Sequence, residues 1–81
     1  MKILTFAWVR TQTGEPEFEY RSEATSVAAL LEELIASRPN WAGLRARQDQ
    51  IRCAVNQAFV EPEQSLEGAQ EVAFFPPVTG G

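Results

Sequence analysis

The first 21 residues show two patterns of hydrophobic positions that are typical of strands. Residues 2–10 (KILTFAWVR) are apolar on both faces, which predicts either a strand in the middle of a sheet or a strand with one face against a partner. Residues 17–21 (EFEYR) alternate as a half-exposed strand does, and the glycine and proline of residues 11–16 predict a turn between the two. We therefore expect a β-hairpin at the start of the chain.

The pattern then changes to a helical period. Apolar side chains recur every three or four residues and form one stripe: Val27, Leu30, Leu31, Leu34 and Ile35. The stripe predicts an amphipathic helix that covers the sheet, with Ser26 as its N-cap. Pro39 prevents extension much beyond residue 37 or 38. Residues 40–49 are expected to hold a short helical turn, in which Trp41 and Leu44 close one end of the core.

The second half of the chain returns to strands. Residues 51–55 predict a strand, and Asn56-Gln57 predicts a turn that leads into Phe59-Val60. Residues 61–68 predict a loop, which Leu66 anchors to the core. The last strand, residues 71–75, runs directly into two prolines, which cannot donate hydrogen bonds to a sheet. The expected fold class is α+β, a mixed sheet packed on one main helix with the first and last strands as central neighbours. We expect a domain of residues 1–75 and an extended tail of residues 76–81.

Composition excludes several classes of function. A chain of 81 residues can form one modest hydrophobic core, but it is too short to enclose an active-site cavity in addition. The chain has no histidine and one cysteine, Cys53, so it can hold neither a histidine-dependent catalytic arrangement nor a zinc site. We expect Cys53 to be a packing residue in a strand rather than a sulfur-relay thiol. The chain is expected to bind no metal or cofactor and not to be an enzyme by itself.

Charge and hydropathy limit the partners and the compartment that we expect for this protein. The net charge of −4 makes nucleic acid a poor partner, because binding phosphates requires clustered cations. No apolar run approaches the roughly 20 residues that cross a bilayer, and Met1-Lys2-Ile3 does not begin a signal peptide. A single cysteine fits a reducing compartment. We expect a cytoplasmic protein that binds neither nucleic acid nor a membrane.

The ending, residues 74–81 (FFPPVTGG), is the most informative segment. Pro76 and Pro77 favour an extended stem, and Gly80 and Gly81 can pass a slot that admits only backbone. Six residues from Pro76 to Gly81 reach roughly 20 Å when extended, at about 3.3–3.6 Å each. The segment predicts that the Gly81 carboxylate is the working group, presented inside a partner protein.

The whole chain resembles the small subunits of molybdopterin synthase, which are sulfur carriers with the ubiquitin-like β-grasp fold. The resemblance is carried by residues 3–7 (ILTFA) with 9–10 (VR), 54–57 (AVNQ) and above all 71–81 (EVAFFPPVTGG). The helix matches only in pattern, and residues 68–70 (GAQ) replace an acidic turn that the family often shows.

The resemblance implies a chemistry for the tail. In this family an ATP-dependent E1-like activating enzyme adenylates the terminal glycine, and sulfur from a donor protein converts it to a thiocarboxylate. The large subunit of the synthase then uses two such charged carriers, as in a heterotetramer, to put two sulfurs into cyclic pyranopterin monophosphate. Gly81 would carry the acyl-adenylate and the thiocarboxylate, next to Gly80, and ATP would bind the activating enzyme.

The partner-binding residues follow from strand parity and from the family together. Phe6, Phe59 and Phe75 can form an aromatic patch around the exit of the tail, where the family docks its partners, although all three could instead lie in the core. Outward placement is favoured for Phe75 because it must face away from Phe74. The tail residues Pro76, Pro77, Val78 and Thr79 complete the set, and Arg10 could contact a partner or simply be solvated.

Other functions share these features. A sulfur carrier for thiamine thiazole or a thiolated nucleoside would differ in its acceptor enzyme, although thiazole carriers generally lack the double proline. A ubiquitin-like modifier would join Gly81 to lysines of other proteins and give conjugates of higher mass. A small binding module would keep full activity without Gly80 and Gly81.

Overall fold

A five-stranded mixed sheet forms the centre of the molecule. In the computed structural model, which describes residues 1–77, the strands are β1 (Lys2–Thr5), β2 (Glu17–Glu19), β3 (Arg52–Val55), β4 (Ala58–Val60) and β5 (Glu71–Phe75). Their order is β2-β1-β5-β3-β4. The β1–β5 pair is parallel and the other pairs are antiparallel. The predicted α+β class and the central pairing of first and last strands are therefore confirmed.

The connection between β1 and β2 departs from the sequence prediction. Residues 6–10 are not a strand, and residues 11–13 are not a turn, because a helix, α1 (Ala7–Thr13), occupies this stretch. β1 ends close to the point at which its parallel neighbour β5 ends. The Phe6 N–H donates to the Phe74 carbonyl at 3.1 Å, and β5 ends one residue later, before Pro76. Val9 and Thr13, four residues apart, become the buried side of α1.

Gly14 ends α1 in the left-handed conformation, with a φ of 72°, and its N–H donates to the Arg10 carbonyl at 2.7 Å. The chain then returns as β2, which pairs antiparallel with β1. The predicted strand pairing is therefore confirmed, but the two strands are joined by a helix rather than by a short turn.

The main helix, α2 (Val27–Ser37), begins where the sequence predicted. The Ser26 hydroxyl accepts a hydrogen bond from the Ala29 N–H at 3.2 Å, as an N-cap does. All five residues of the apolar stripe are buried in one core with the inner face of the sheet. A 3₁₀ segment (Pro39–Gln50) follows, longer than the predicted turn, and Trp41 and Leu44 are fully buried in it.

The turn between β3 and β4 is also as predicted. Asn56 and Gln57 have φ values of 49° and 72°, the left-handed pair that a two-residue hairpin turn requires. The Asn56 side-chain oxygen accepts hydrogen bonds from the N–H groups of Gln70 and Glu71 at 2.8 and 3.1 Å. Gly68 adopts a φ of 77°, which accounts for a glycine at the start of the GAQ turn.

A polar junction joins the end of α1 to the end of α2. The Glu15 carboxylate accepts hydrogen bonds from the Arg38 guanidinium, from Asn40 Nδ2 at 2.6 Å and from Trp41 Nε1 at 3.0 Å. Burial disfavours the charged form, but these hydrogen bonds and the Arg38 charge outweigh it and hold the pKa of Glu15 below its ordinary value. Arg38 also lies 4.2 Å from the centre of the Phe18 ring.

Candidate docking face and tail exit

The sheet has one face that no helix of the described residues covers. On the inner face, Ile3, Val72 and Phe74 are fully buried in the core formed with α2. Side chains alternate along a strand, so their neighbours point the other way. The pairing aligns one row of outward residues across four strands: Leu4 with Ala73, Ala73 with Ala54, and Ala54 with Phe59.

This row forms the floor of a shallow cavity of about 290 Å³. Ala54 and Ala73 are small and lie at its base, only 6% and 7% exposed. Larger side chains form its walls. We call Leu4, Phe6, Ala54, Phe59, Ala73 and Phe75 the apolar sheet face.

The structure brings the three predicted aromatics together on this face. Phe59 is 76% exposed and Phe6 is 43% exposed, while Phe75 is partly buried and its ring centre lies 5.3 Å from that of Phe59. Phe74, the neighbour of Phe75, is fully buried on the opposite face. Parity along β5 thus separates the two phenylalanines as predicted; docking by the aromatic patch stays a prediction.

Phe6 reaches the apolar sheet face because the chain bends immediately after it. Phe6 itself is extended, and Ala7 takes a positive φ of 52°. The left-handed conformation costs a residue other than glycine about 1–2 kcal/mol. The bend starts α1 while the Phe6 ring stays beside β5, and the Arg10 guanidinium lies 5.1 Å from the centre of that ring.

The tail leaves from the end of the central strand. β5 ends at Phe75, Pro76 is partly buried and Pro77 is exposed. Pro77 lines a second groove, of about 670 Å³, which adjoins the apolar sheet face at Phe59 and Phe75. The predicted site residues Val78, Thr79, Gly80 and Gly81 lie outside the described residues.

Two arginines flank the exit. Arg52 is opposite Phe75 in the sheet and lines the groove with Pro77, and its Nη1 donates to the Asp49 carbonyl at 3.0 Å. Arg10 Nε donates to the Thr5 carbonyl, at the end of β1, at 2.9 Å. Sequence reasoning left the role of Arg10 open and missed Arg52, which parity along β3 places on the same face as Ala54. It also missed Leu4, Ala54 and Ala73, which the same parity could have found.

Cys53 lies on the inner side of the sheet. It pairs with Phe74, is 7% exposed, and its Sγ is 3.8 Å from the Val60 carbonyl. Burial, and secondarily the charge of Glu61, raises the pKa of the thiol. A protonated, buried thiol is a weak nucleophile, so the geometry favours packing over sulfur relay.

Neither a metal site nor a membrane span is found in the part of the chain that the structure describes. Residues 1–77 contain no group of three or more histidine, cysteine, aspartate or glutamate side chains placed to hold a metal ion. Across the same residues, no helix has the length and apolar character to cross a bilayer.

Comparison with known proteins identifies relatives along the full chain. The ThiS family matches residues 3–81. The molybdopterin synthase sulfur carrier subunit of Escherichia coli (strain K12) is 40% identical over 81 residues, which is 100% of this chain and 99% of that one. The protein of the same name from Haemophilus influenzae is 31% identical with the same coverage. The crystal structure of SAMP1 from Haloferax volcanii has a TM-score of 0.74 at 22% identity, covering 99% of this chain and 97% of that one, and this likeness confirms the β-grasp fold.

Proposed function

The chain belongs to the ThiS family, and from this premise we propose that it carries sulfur as a thiocarboxylate on Gly81. Its full-length likeness to two molybdopterin synthase sulfur carrier subunits assigns it a role in molybdenum cofactor biosynthesis, next to a large synthase subunit. We propose both the chemical form in which the sulfur is carried and the residues that contact each partner.

The chemistry begins with a poor acyl donor. The Gly81 carboxylate attacks ATP in the activating enzyme, releases pyrophosphate and becomes an acyl-adenylate, whose AMP is a good leaving group. A sulfur donor protein then supplies sulfur at the sulfide level, whose attack on the acyl carbon forms the C–S bond, breaks the C–O bond to AMP and leaves a thiocarboxylate. The C–S⁻ group attacks a carbon of cyclic pyranopterin monophosphate in the large subunit and displaces an oxygen from it. Water then cleaves the acyl–sulfur bond, which leaves the sulfur on the pterin and regenerates the Gly81 carboxylate, and two charged carriers supply the two sulfurs of each molybdopterin. This chain binds no cofactor in any step; ATP binds the activating enzyme.

One observation supports the proposal most directly: the strand that ends in the tail also lies in the middle of the apolar sheet face. Phe75 is the last residue of β5 and contacts Phe59, and Pro76 follows at once. A partner that covers this face therefore meets the tail at a fixed position. We propose that the large subunit and the activating enzyme dock over Phe6, Phe59 and Phe75 and take residues 76–81 into their active sites.

The size of the tail fits this use. Six residues reach roughly 20 Å when extended, and the two prolines reduce the entropy that is lost on insertion. The proposed assembly is a heterotetramer with two copies of each subunit, in which each carrier serves one large subunit.

Reconstitution with the large subunit, an activating enzyme, ATP and a sulfur source tests the proposal. Intact mass should show one oxygen of the chain replaced by sulfur, and molybdopterin should form from the pyranopterin precursor. Deletion of Gly81 should abolish both, with folding and docking nearly unchanged. Cys53→Ala, which removes the buried thiol, is the matched control and should keep most activity.

Two results would reject the thiocarboxylate. Normal turnover by the Gly81 deletion, or complete loss of turnover in well-folded Cys53→Ala, would show that sulfur does not travel on the terminal glycine. Conjugates of higher mass on a denaturing gel, with no sulfur incorporation, would instead identify a protein modifier.

A further inference from the structure

The cavity on the apolar sheet face has a polar end. Besides the six residues of that face, it is lined by Glu71 and Gln57. Glu71 begins β5, and parity along this strand places its side chain on the same side as Ala73 and Phe75. Gln57 lies beside it, because the preceding Asn56 N–H donates to the Glu71 carbonyl at 2.9 Å. Four residues separate Glu71 from Phe75, about 13 Å at 3.3 Å per residue, so the polar end is the one farthest from the tail.

The Glu71 carboxylate forms no ion pair within residues 1–77. The ion pairs found in this part of the chain use four other carboxylates: Glu15, Glu17, Glu19 and Glu32. Lys2 is aligned with Glu71 across β1 and β5, but its Nζ lies 3.8 Å from the Glu17 carboxylate. Glu71 is also partly buried, and a carboxylate that is partly withdrawn from water favours a cation that replaces its lost hydration. The polar end of the cavity is therefore an acceptor site for a positive group.

The rest of the cavity suits the apolar stem of a long side chain. The methyl groups of Ala54 and Ala73 form its floor, and Phe59 and Phe75 stand beside it with ring centres 5.3 Å apart. Arginine combines an apolar stem with a planar cation that stacks on aromatic rings. Its fork of N–H donors can bind a carboxylate through two parallel hydrogen bonds and an amide oxygen beside it. Lysine has a similar stem but a compact ammonium, so arginine matches the cavity better.

We propose that this cavity receives an arginine side chain of the large synthase subunit, with its stem over the two alanines and its guanidinium against Glu71 and Gln57. The inference rests on the proposed function, because it concerns the same docking face and the same partner. The two exit arginines, Arg10 and Arg52, lie at the opposite end of the face. A cation that enters the cavity is therefore drawn to its Glu71 end, which fixes the orientation of the partner as well as its affinity.

Three single variants test the cavity by titration calorimetry with the purified large subunit. Glu71→Gln keeps the shape of the side chain and removes its charge, and Ala73→Leu keeps the charge and fills the cavity. Each should raise Kd at least about tenfold, as the loss of an interface hot spot does. Glu67→Gln is the matched control, because it makes the same charge change at an exposed residue that does not line the cavity. It should leave Kd within about twofold, and thermal unfolding verifies that each variant is folded.

Arginine labelling identifies the occupant. Phenylglyoxal modifies accessible arginines, and peptide mass spectrometry compares the large subunit alone with the subunit saturated by each carrier. One arginine should be protected by the unaltered chain and modified again in the complex with Ala73→Leu. Replacing that arginine by alanine should make Kd insensitive to Glu71→Gln in a double-mutant cycle.

Three results would overturn the inference: a Kd for Glu71→Gln equal to that for Glu67→Gln, the absence of a protected arginine, or a protected arginine without coupling to Glu71. A loss of binding in Phe59→Ala with unchanged binding in Glu71→Gln would reject the arginine and keep the docking face. Unchanged binding in both would reject the docking face together with the arginine. Because the assay measures docking and no sulfur transfer, its outcome does not depend on whether the Gly81 deletion experiment rejects the thiocarboxylate.

Discussion

Replacing Phe59 by alanine is expected to weaken docking to the large subunit while leaving the domain folded. A phenylalanine side chain can bury roughly 150–250 Å², and 76% of Phe59 is still exposed in the free chain. A partner can therefore cover on the order of 130 Å² of it, worth about 3 kcal/mol at 25 cal/mol per Å². That energy corresponds to roughly a hundredfold increase in Kd. The loss within the chain is limited to the contact with Phe75, about 0.5–1.5 kcal/mol for an aromatic pair.

The assay compares binding and melting for two variants. Titration calorimetry with the purified large subunit gives Kd, and thermal unfolding gives the stability of each carrier. Phe74→Ala is the matched control, because it removes a phenylalanine that is 0% exposed on the opposite face and should cost about 3–5 kcal/mol of stability. If Phe59→Ala binds with unchanged Kd, or melts as low as Phe74→Ala, the apolar sheet face is not the docking surface.

Three further outcomes follow from the described contacts. Phe75→Ala should raise Kd at least about tenfold with the helical circular dichroism intact; a collapse of the melting temperature with unchanged affinity would place Phe75 in the core. Leu34→Ala should cost about 2–5 kcal/mol in urea unfolding, because Leu34 is 0% exposed under the sheet, and a loss below 1 kcal/mol would contradict that packing. The lowered pKa of Glu15 means that its ionised form stabilises the fold above its ordinary value of 4.5, and that this stabilisation is lost as pH falls through the lowered pKa. The difference in unfolding free energy between the unaltered chain and Glu15→Gln should therefore shrink below about pH 4.5; a constant difference would show that the Glu15 charge does not matter.

The helix and the outward strand residues could be predicted because each depends on a local period. The stripe from Val27 to Ile35 and its Ser26 cap lie within one short segment, and no distant contact is needed to identify them. The same holds for Phe74 and Phe75, which a period of two must separate. These two periods locate the core and most of the apolar sheet face.

The helix α1 could not be predicted in this way because a distant partner decides it. Residues 6–10 fit a strand by pattern, but β1 can continue only as long as β5 lies beside it, and β5 stops before Pro76. The local signal that was available is Gly14 followed by Pro16, which is also a helix stop signal. The hydrogen bonds of Glu15 could not be predicted from the sequence either, because they join residues that are 23 to 26 positions apart.

The placement of the tail on the central strand has a mechanical consequence. β5 is hydrogen-bonded to β1 on one side and to β3 on the other, and these bonds run across the strands. A pull on Pro76 is directed along β5, so it loads both rows of hydrogen bonds at once in shear instead of peeling them one after another. The domain can therefore bear tension that is applied through its C-terminal end. A tail attached to an edge strand such as β4 would transmit the same force to a single row.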